Sequence, residues 1–229
     1  MIRLAPLALL LLPATVSAAE RTVALGSFDR VRIEGAYRVT IATGRSPGAT
    51  LSGDRDALDE VEVRLDGTTL VVRRAATRWA TRAAATRPVA VTLATPNLVA
   101  ASVVGGSTLH VARMKGDRVD LSLGGSGDIA VDAVDAGRAQ VTLIGAGSVS
   151  LAGKATAARL LTSGSGSIDA GKLDAGELVV RLDGAGETGA AARYSAQVTN
   201  TGLGRVTVSG TPKCQVTATA GGPVVCGAR

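Results

Sequence analysis

Aromatic side chains are nearly missing from this 229-residue chain, at 2% of its residues. Phe28, Tyr37, Trp79 and Tyr194 are too few for the stacking platforms that bind single-stranded nucleic acid or sugars. Histidine is reduced to His110, which falls on an outward position with no recognisable Ser or Cys nucleophile motif beside it. Cysteine is limited to Cys214 and Cys226 with no Cys-x-x-Cys, so a zinc site is not expected and no cofactor is implied. One apolar run stands out, Leu4–Leu12, and it is too short to cross a bilayer as a helix, which takes about 20 residues.

That run has a different meaning. Arg3 supplies a positive start, Leu4–Leu12 an apolar middle, and Val16-Ser17-Ala18 a small-residue cleavage signal, so residues 1–18 read as a signal peptide. The chain is therefore expected to be exported, to the periplasm or to the cell surface and beyond. No Cys follows the apolar run to carry a lipid anchor, and no later segment is apolar enough to form a transmembrane span. In an exported chain Cys214 and Cys226 are expected to pair, which is worth roughly 2–3 kcal/mol for so short a loop. Basic residues outnumber acidic ones 25 to 19. A positive surface favours polyanionic glycans or anionic headgroups. The same excess fits a coding bias, since the chain is rich in Ala, Gly and Arg and holds few Lys. Nucleic acid is a poor match for an exported chain.

Glycine, in contrast, is abundant and periodic. Gly125-Ser126-Gly127, Gly145-Ala146-Gly147, Gly164-Ser165-Gly166, Gly184-Ala185-Gly186 and Gly202-Leu203-Gly204 recur at steps of 18 to 20 residues, with degenerate copies at Gly105 and Gly221. A period near 20 marks a solenoid whose repeats bury their apolar faces only by stacking. Leu121, Val141, Leu160, Val180 and Val198 form one apolar column. Leu109, Ile129, Val149, Ile168, Thr188 and Val206 form a second, and Val111, Val131, Leu151, Ala170, Ala190 and Val208 a third. Asp128, Ser148, Ser167, Glu187 and Arg205 take the outward positions between them, the in/out alternation of β-strands. The expected fold is all-β, a parallel β-helix or solenoid of about 20-residue coils, each made of two strands and two turns, the second looser, as at Ala133-Val134-Asp135-Ala136-Gly137.

Before the repeats, residues 19–88 read as an N-terminal β-unit. Val61, Val63 and Leu65 alternate up to Asp66-Gly67, a hairpin signal, and residues 54–60 suit one helical turn. Its end holds Arg73, Arg74, Arg78, Trp79, Arg82 and Arg87 with no acidic residue between the first and the last. This stretch reads either as a surface for an anionic partner or as a solvated connecting loop. Residues 89–229 then carry the repeats and a disulfide cap, and 19–229 form one continuous domain.

The opening Phe28-Asp29-Arg30-Val31-Arg32-Ile33-Glu34-Gly35, the later Val91-Thr92-Leu93-Ala94-Thr95-Pro96-Asn97-Leu98, the serial glycine corners and the late cysteine pair resemble the putative auto-transporter adhesin head GIN domain family, over about residues 26–226. The Gly-Ile-Asn tripeptide itself is absent. The resemblance implies a right-handed β-superhelix akin to pectin-lyase folds without their catalytic residues, and a part in adhesion.

Three other motifs carry less weight. Gly184–Gly189 matches G-x-G-x-x-G, but no helix follows to meet a pyrophosphate. Gly124-Gly125-Ser126-Gly127-Asp128 is similar to a calcium nonapeptide, with the carboxylate one residue early. Asp128, Asp169, Asp183 and Glu187 are the carboxylates a polysaccharide-active enzyme would draw on, although they sit at different offsets from the glycines. The reading is a non-catalytic exported module that contacts glycans, envelope polyanions or its own copies. The alternatives are a polysaccharide lyase or hydrolase and a ligand-free structural protein.

Overall fold

The computed structural model describes residues 19–75 and 88–228. In chain order the elements are β1 (Ala19–Val23), β2 (Arg30–Gly35), β3 (Arg38–Thr43), β4 (Gly48–Gly53), α1 (Arg55–Asp59), β5 (Val61–Asp66), β6 (Thr69–Arg74), β7 (Ala90–Thr95), β8 (Ala100–Gly105) and β9 (Thr108–Val111). The long strands follow: β10 (Met114–Gly125), β11 (Asp128–Gly145), β12 (Ser148–Gly164), β13 (Ser167–Gly184) and β14 (Glu187–Asn200). The chain closes with β15 (Arg205–Gly210), β16 (Lys213–Ala218) and β17 (Val224–Ala228). The fold is the expected all-β solenoid, about 6 turns with a spacing near 20 residues.

Two of the three expected columns are present residue for residue, and the third is interrupted between Leu151 and Ala170, where the pairing shifts. Leu121, Val141, Leu160, Val180 and Val198 pair in succession across parallel strands. Leu109, Ile129, Val149, Ile168, Thr188 and Val206 do the same. All are buried, and Thr188, the one hydroxyl, meets the buried Thr162 at 2.9 Å so that neither is left unpaired. Each coil differs from expectation in having three faces. Along β11 the alternation slips at Asp132–Ala133 and again at Gly137–Arg138, which turns Val134 and Ala136 into the core as a third wall. The pairing bulges at the first slip, and hydrogen bonding runs through both bends, so β11 to β13 are continuous bent strands.

The Gly-x-Gly corner separates the first face (residues 119–125 and their equivalents) from the second (128–131). Its two glycines act for different reasons. Gly125, Gly145 and Gly164 adopt φ of +119°, +127° and +118°, open only to glycine at low cost. The second glycines have no positive φ; they are pressed on the coil below. A Cβ on Gly147 would overlap the Gly127 carbonyl oxygen and lie 2.8 Å from Leu123 Cδ2. The Gly125 carbonyl accepts from the amides of Ala146 at 2.9 Å and Gly147 at 3.1 Å, so the corner remains fully hydrogen-bonded. In the degenerate copy Ser107 takes the second glycine's place, accepting from the Tyr37 amide and donating to the Gly35 carbonyl, both at 3.0 Å.

The coils are not stacked in chain order. β2 lies parallel between β6 and β8, and β3 between β7 and β9, so a coil made early in the sequence sits inside the stack. Beyond the β6–β7 coil, β5 and β4 return antiparallel, the former through the hairpin at Gly67, and β1 pairs with β4. Helix α1 buries Ala57 and Leu58 at this end. Arg21 donates to the carbonyls of Leu58 at 3.2 Å and Val61 at 2.8 Å, a basic side chain closing a helix C-terminus.

The opposite end is closed differently. Cys214 continues the inner column of Ala196, and Cys226 that of Val208. Their disulfide therefore ties β16 to β17 across the open end of the last coil, with Cys214 exposed and Cys226 half-buried. The cover is incomplete, since Val216 is 45% exposed while its column neighbour Val198 is fully buried. Among the described residues no helix is long and apolar enough to cross a membrane.

Two outcomes are expected. Gly147→Ala should cost at least about 3 kcal/mol in urea unfolding, against less than about 0.5 kcal/mol for Gly48→Ala, which has open space around it. Replacing both cysteines with Ala should cost about 2–3 kcal/mol and raise amide exchange selectively in β16 and β17.

Candidate interaction surface

The basic stretch divides at the end of β6. Arg73 and Arg74 are the last two residues of that strand, and each meets a carboxylate, Arg73 with Glu62 of β5 at 3.0 Å and Arg74 with Glu60, just before β5, at 2.6 Å. The Glu62 hydrogen bond and charge keep the Arg73 guanidinium above its ordinary pKa. These two arginines are thus neutralised by their own hairpin, and as exposed pairs they contribute little stability. Arg78, Trp79, Arg82 and Arg87 lie outside the described residues.

A cleft of about 440 Å³ lies beside this hairpin, lined by Gly35, Tyr37, Glu60, Arg74, Pro88 and Gly106 among others. Its aromatic wall is Tyr37, 8% exposed. Burial raises the Tyr37 phenol above its ordinary pKa, with Arg74 opposing the shift and Glu60 adding to it.

The four carboxylates considered for catalysis are exposed, and three of them are engaged locally. Asp128 accepts from Ser148 at 2.5 Å, Asp169 from the Gly171 amide at 3.0 Å, and Asp183 from Thr201 at 3.4 Å. Glu187 stands in register between Ser167 and Arg205. Asp128 and Asp183 are three coils apart, about 14 Å along the axis at the parallel-strand spacing, beyond the roughly 6.5–9.5 Å of an inverting pair. His110 meets Asp132 at 2.9 Å on the surface. Among the described residues no three His, Cys, Asp or Glu side chains gather as metal ligands would.

The feature that sequence reading missed lies at the bend between the third and first faces. Lys115, Asp135, Lys154 and Asp174 are in register on four successive coils, and Arg193 meets Asp174 at 2.9 Å. Asp135 is held between Lys115 at 4.0 Å and Lys154 at 3.7 Å. Beside this ladder of alternating charge runs a trough of about 460 Å³, floored by small residues such as Gly116, Ala136, Gly137 and Ala155. Tyr194, 65% exposed, lies under the Arg193 guanidinium with 5.3 Å from charge to ring centre. The signal was available: these charges step by the same 19 to 20 residues as the glycines.

The profile of the family described as putative auto-transporter adhesin, head GIN domain, matches residues 27–212. Three solved structures share the fold. A putative adhesin from Bacteroides fragilis NCTC 9343 superposes with a TM-score of 0.81 at 19% identity, covering 92% of this chain and 97% of that one. A putative lipid binding protein from Parabacteroides distasonis ATCC 8503 gives 0.73 at 16% identity, with 92% and 96% covered. A putative adhesin from the same organism gives 0.71 at 15% identity, with 91% and 96% covered. Identities this low establish the fold and nothing finer. No curated protein matches the chain in sequence.

The Tyr37 phenol makes the cleft end of the stack sensitive to alkali. Because the folded chain holds this proton more tightly than the unfolded chain does, stability is full below about pH 10 and falls as the pH rises beyond it. Tyr37→Phe should flatten that slope in urea midpoints measured from about pH 9 to pH 11.5.

Proposed function

This chain belongs to the putative auto-transporter adhesin, head GIN domain family, and from that premise we propose that it is an exported, non-catalytic module for contact at the cell envelope. Residues 1–18 direct export, and the rest works as one domain in the periplasm or at the cell surface. The observation that carries the reading is the set of outward ladders, in which polar and charged side chains stand in register on successive coils at about 4.8 Å. A rigid array of that kind suits a repetitive partner, such as an envelope glycan or polyanion, better than a small molecule. Within the basic stretch Arg73 and Arg74 are already paired with Glu62 and Glu60, so a further contact with an anionic partner falls to Arg78, Trp79, Arg82 and Arg87, and self-association is a second use of the same ladders. A polysaccharide-active enzyme and a ligand-free structural protein are the competing readings.

Pull-down on isolated cell-envelope material tests the reading. The purified protein should sediment with the envelope fraction and release no reducing ends or unsaturated products from pectic or uronate polymers. Replacing Arg74, Arg78 and Arg82 with Ser should reduce the sedimented fraction if the basic stretch takes part. Turnover that is lost in Asp128→Asn or Asp183→Asn would replace a binding role with an enzymatic one.

A further inference from the structure

The first face carries arginines that the fold leaves without counter-charges. Arg138, Arg159 and Arg181 are exposed, and none has an ion pair among the described residues. They stand on three successive coils, each displaced two residues along the strand from the last: Arg159 is in register with Gln140, and Arg181 with Leu161, whose own partner is Thr142. At the strand rise and spacing, the step is about 8 Å and the line from Arg138 to Arg181 about 16 Å. Arg138 stands at the bend, next to Gly137 on the trough floor. One coil further down, Lys115 continues the line into the trough. Four coils thus each contribute one cation to a single oblique track.

Three carboxylates adjoin the track: Asp135 pairs with Lys115 at 4.0 Å, Asp117 also lines the trough, and Asp183 follows Arg181 by two residues on the same strand, while the others lie to either side. Asp120 is on the ladder of Arg159 but two coils away, and it is held by Arg118 at 2.9 Å. Glu177 is on the ladder of Arg138, likewise two coils away. Arg118 and Arg138 are directly opposite one another on neighbouring strands, and the carboxylate beside this like-charge pairing, Asp120, is taken by Arg118. The surface between the arginines is level: Gln140, Thr142, Ala157, Leu161 and Val179 are half-buried strand residues, with no loop rising among them.

We propose that Lys115, Arg138, Arg159 and Arg181 form a binding track for a linear acidic polysaccharide, one carrying carboxylate or sulfate groups along its length. Guanidinium groups bind such oxyanions through paired hydrogen bonds, and their planar forks favour that geometry over diffuse attraction. The trough, within the volume range of ligand sites, accepts a ring of the chain at the Lys115 end. A membrane surface fits less well. It would call for cations spread over a plane with apolar side chains to insert, whereas these run in one line that turns over a bend. The proposal rests on the envelope-contact reading above and names the ligand chemistry and the residues.

The test compares binding of polygalacturonate, dextran sulfate, neutral dextran, and phosphatidylglycerol–phosphatidylcholine vesicles to the purified protein at low and moderate salt. The variant is Arg138→Ser/Arg159→Ser/Arg181→Ser. Arg38→Ser/Arg45→Ser/Arg205→Ser removes the same charge elsewhere, and thermal unfolding checks that both fold. Expected are binding of the acidic polymers and not of dextran, weakening with salt, and a loss of about tenfold or more in the track variant against less than about threefold in the control. Equal losses in the two variants, undiminished binding in the track variant, or a preference for vesicles over acidic polymer would each overturn the track. If the track variant also sediments with envelope material as well as the parent does, the track fails while the envelope-contact reading stands. If the parent binds neither acidic polymer nor envelope, both fail.

Discussion

Close approach of backbone to backbone at the Gly-x-Gly corner governs this molecule. Each coil must turn sharply there while its amides reach the carbonyls of the coil below, and nothing larger than a hydrogen fits between. The first glycine supplies a left-handed φ, and the second supplies vacant space over the neighbouring carbonyl. Once the corners are in register, the pleat fixes every other side chain as inward or outward. A shift of one residue would turn the Leu109-to-Val206 column into solvent. The apolar core is therefore as much a consequence of the corners as a cause of the stack.

A stack held this way has an exposed layer at each end, and this chain closes its two ends by different chemistry. At one end, antiparallel strands, a short helix and Arg21 cover the terminal coil with conventional packing. At the other, a disulfide ties the two strands of the last coil together across its open end, where no further coil covers the inward positions. Covalent closure suits an exported chain, and it leaves Val216, on the column of Val198, partly open. Such protection against strand-to-strand pairing is needed wherever a sheet ends.

Because corners and core fix the backbone, the outward positions can vary with little effect on stability. They carry what chemistry the surface has: the Lys115–Asp135–Lys154–Asp174 ladder, the trough beside it, and the oblique line of unpaired arginines. Three of the four carboxylates that invite a catalytic reading bond to neighbouring hydroxyls or amides. Recognition by repetition and position, as proposed for this surface, is in keeping with the putative auto-transporter adhesin, head GIN domain family to which the chain belongs.

The sequence by itself determined the corners, the columns and the pairing of Cys214 with Cys226. The corners and columns follow from a period near 20 and an alternation of two, both local properties of the chain, and the pairing from two neighbouring cysteines in a chain whose start reads as a signal peptide. It also marked the Asp66-Gly67 hairpin and the helical turn after Asp54. It did not reveal the third wall through Val134 and Ala136, because short Ala-rich stretches without glycine corners read as loose turns. Nor did it reveal that β2 and β3 lie inside the stack, since pairing between segments distant in sequence leaves no periodic trace. The basic stretch looked continuous, yet its first two arginines are neutralised by Glu62 and Glu60 across a hairpin. Tertiary structure alone decided which charges are paired and which stand free, because that depends on what lies one coil above and below each side chain.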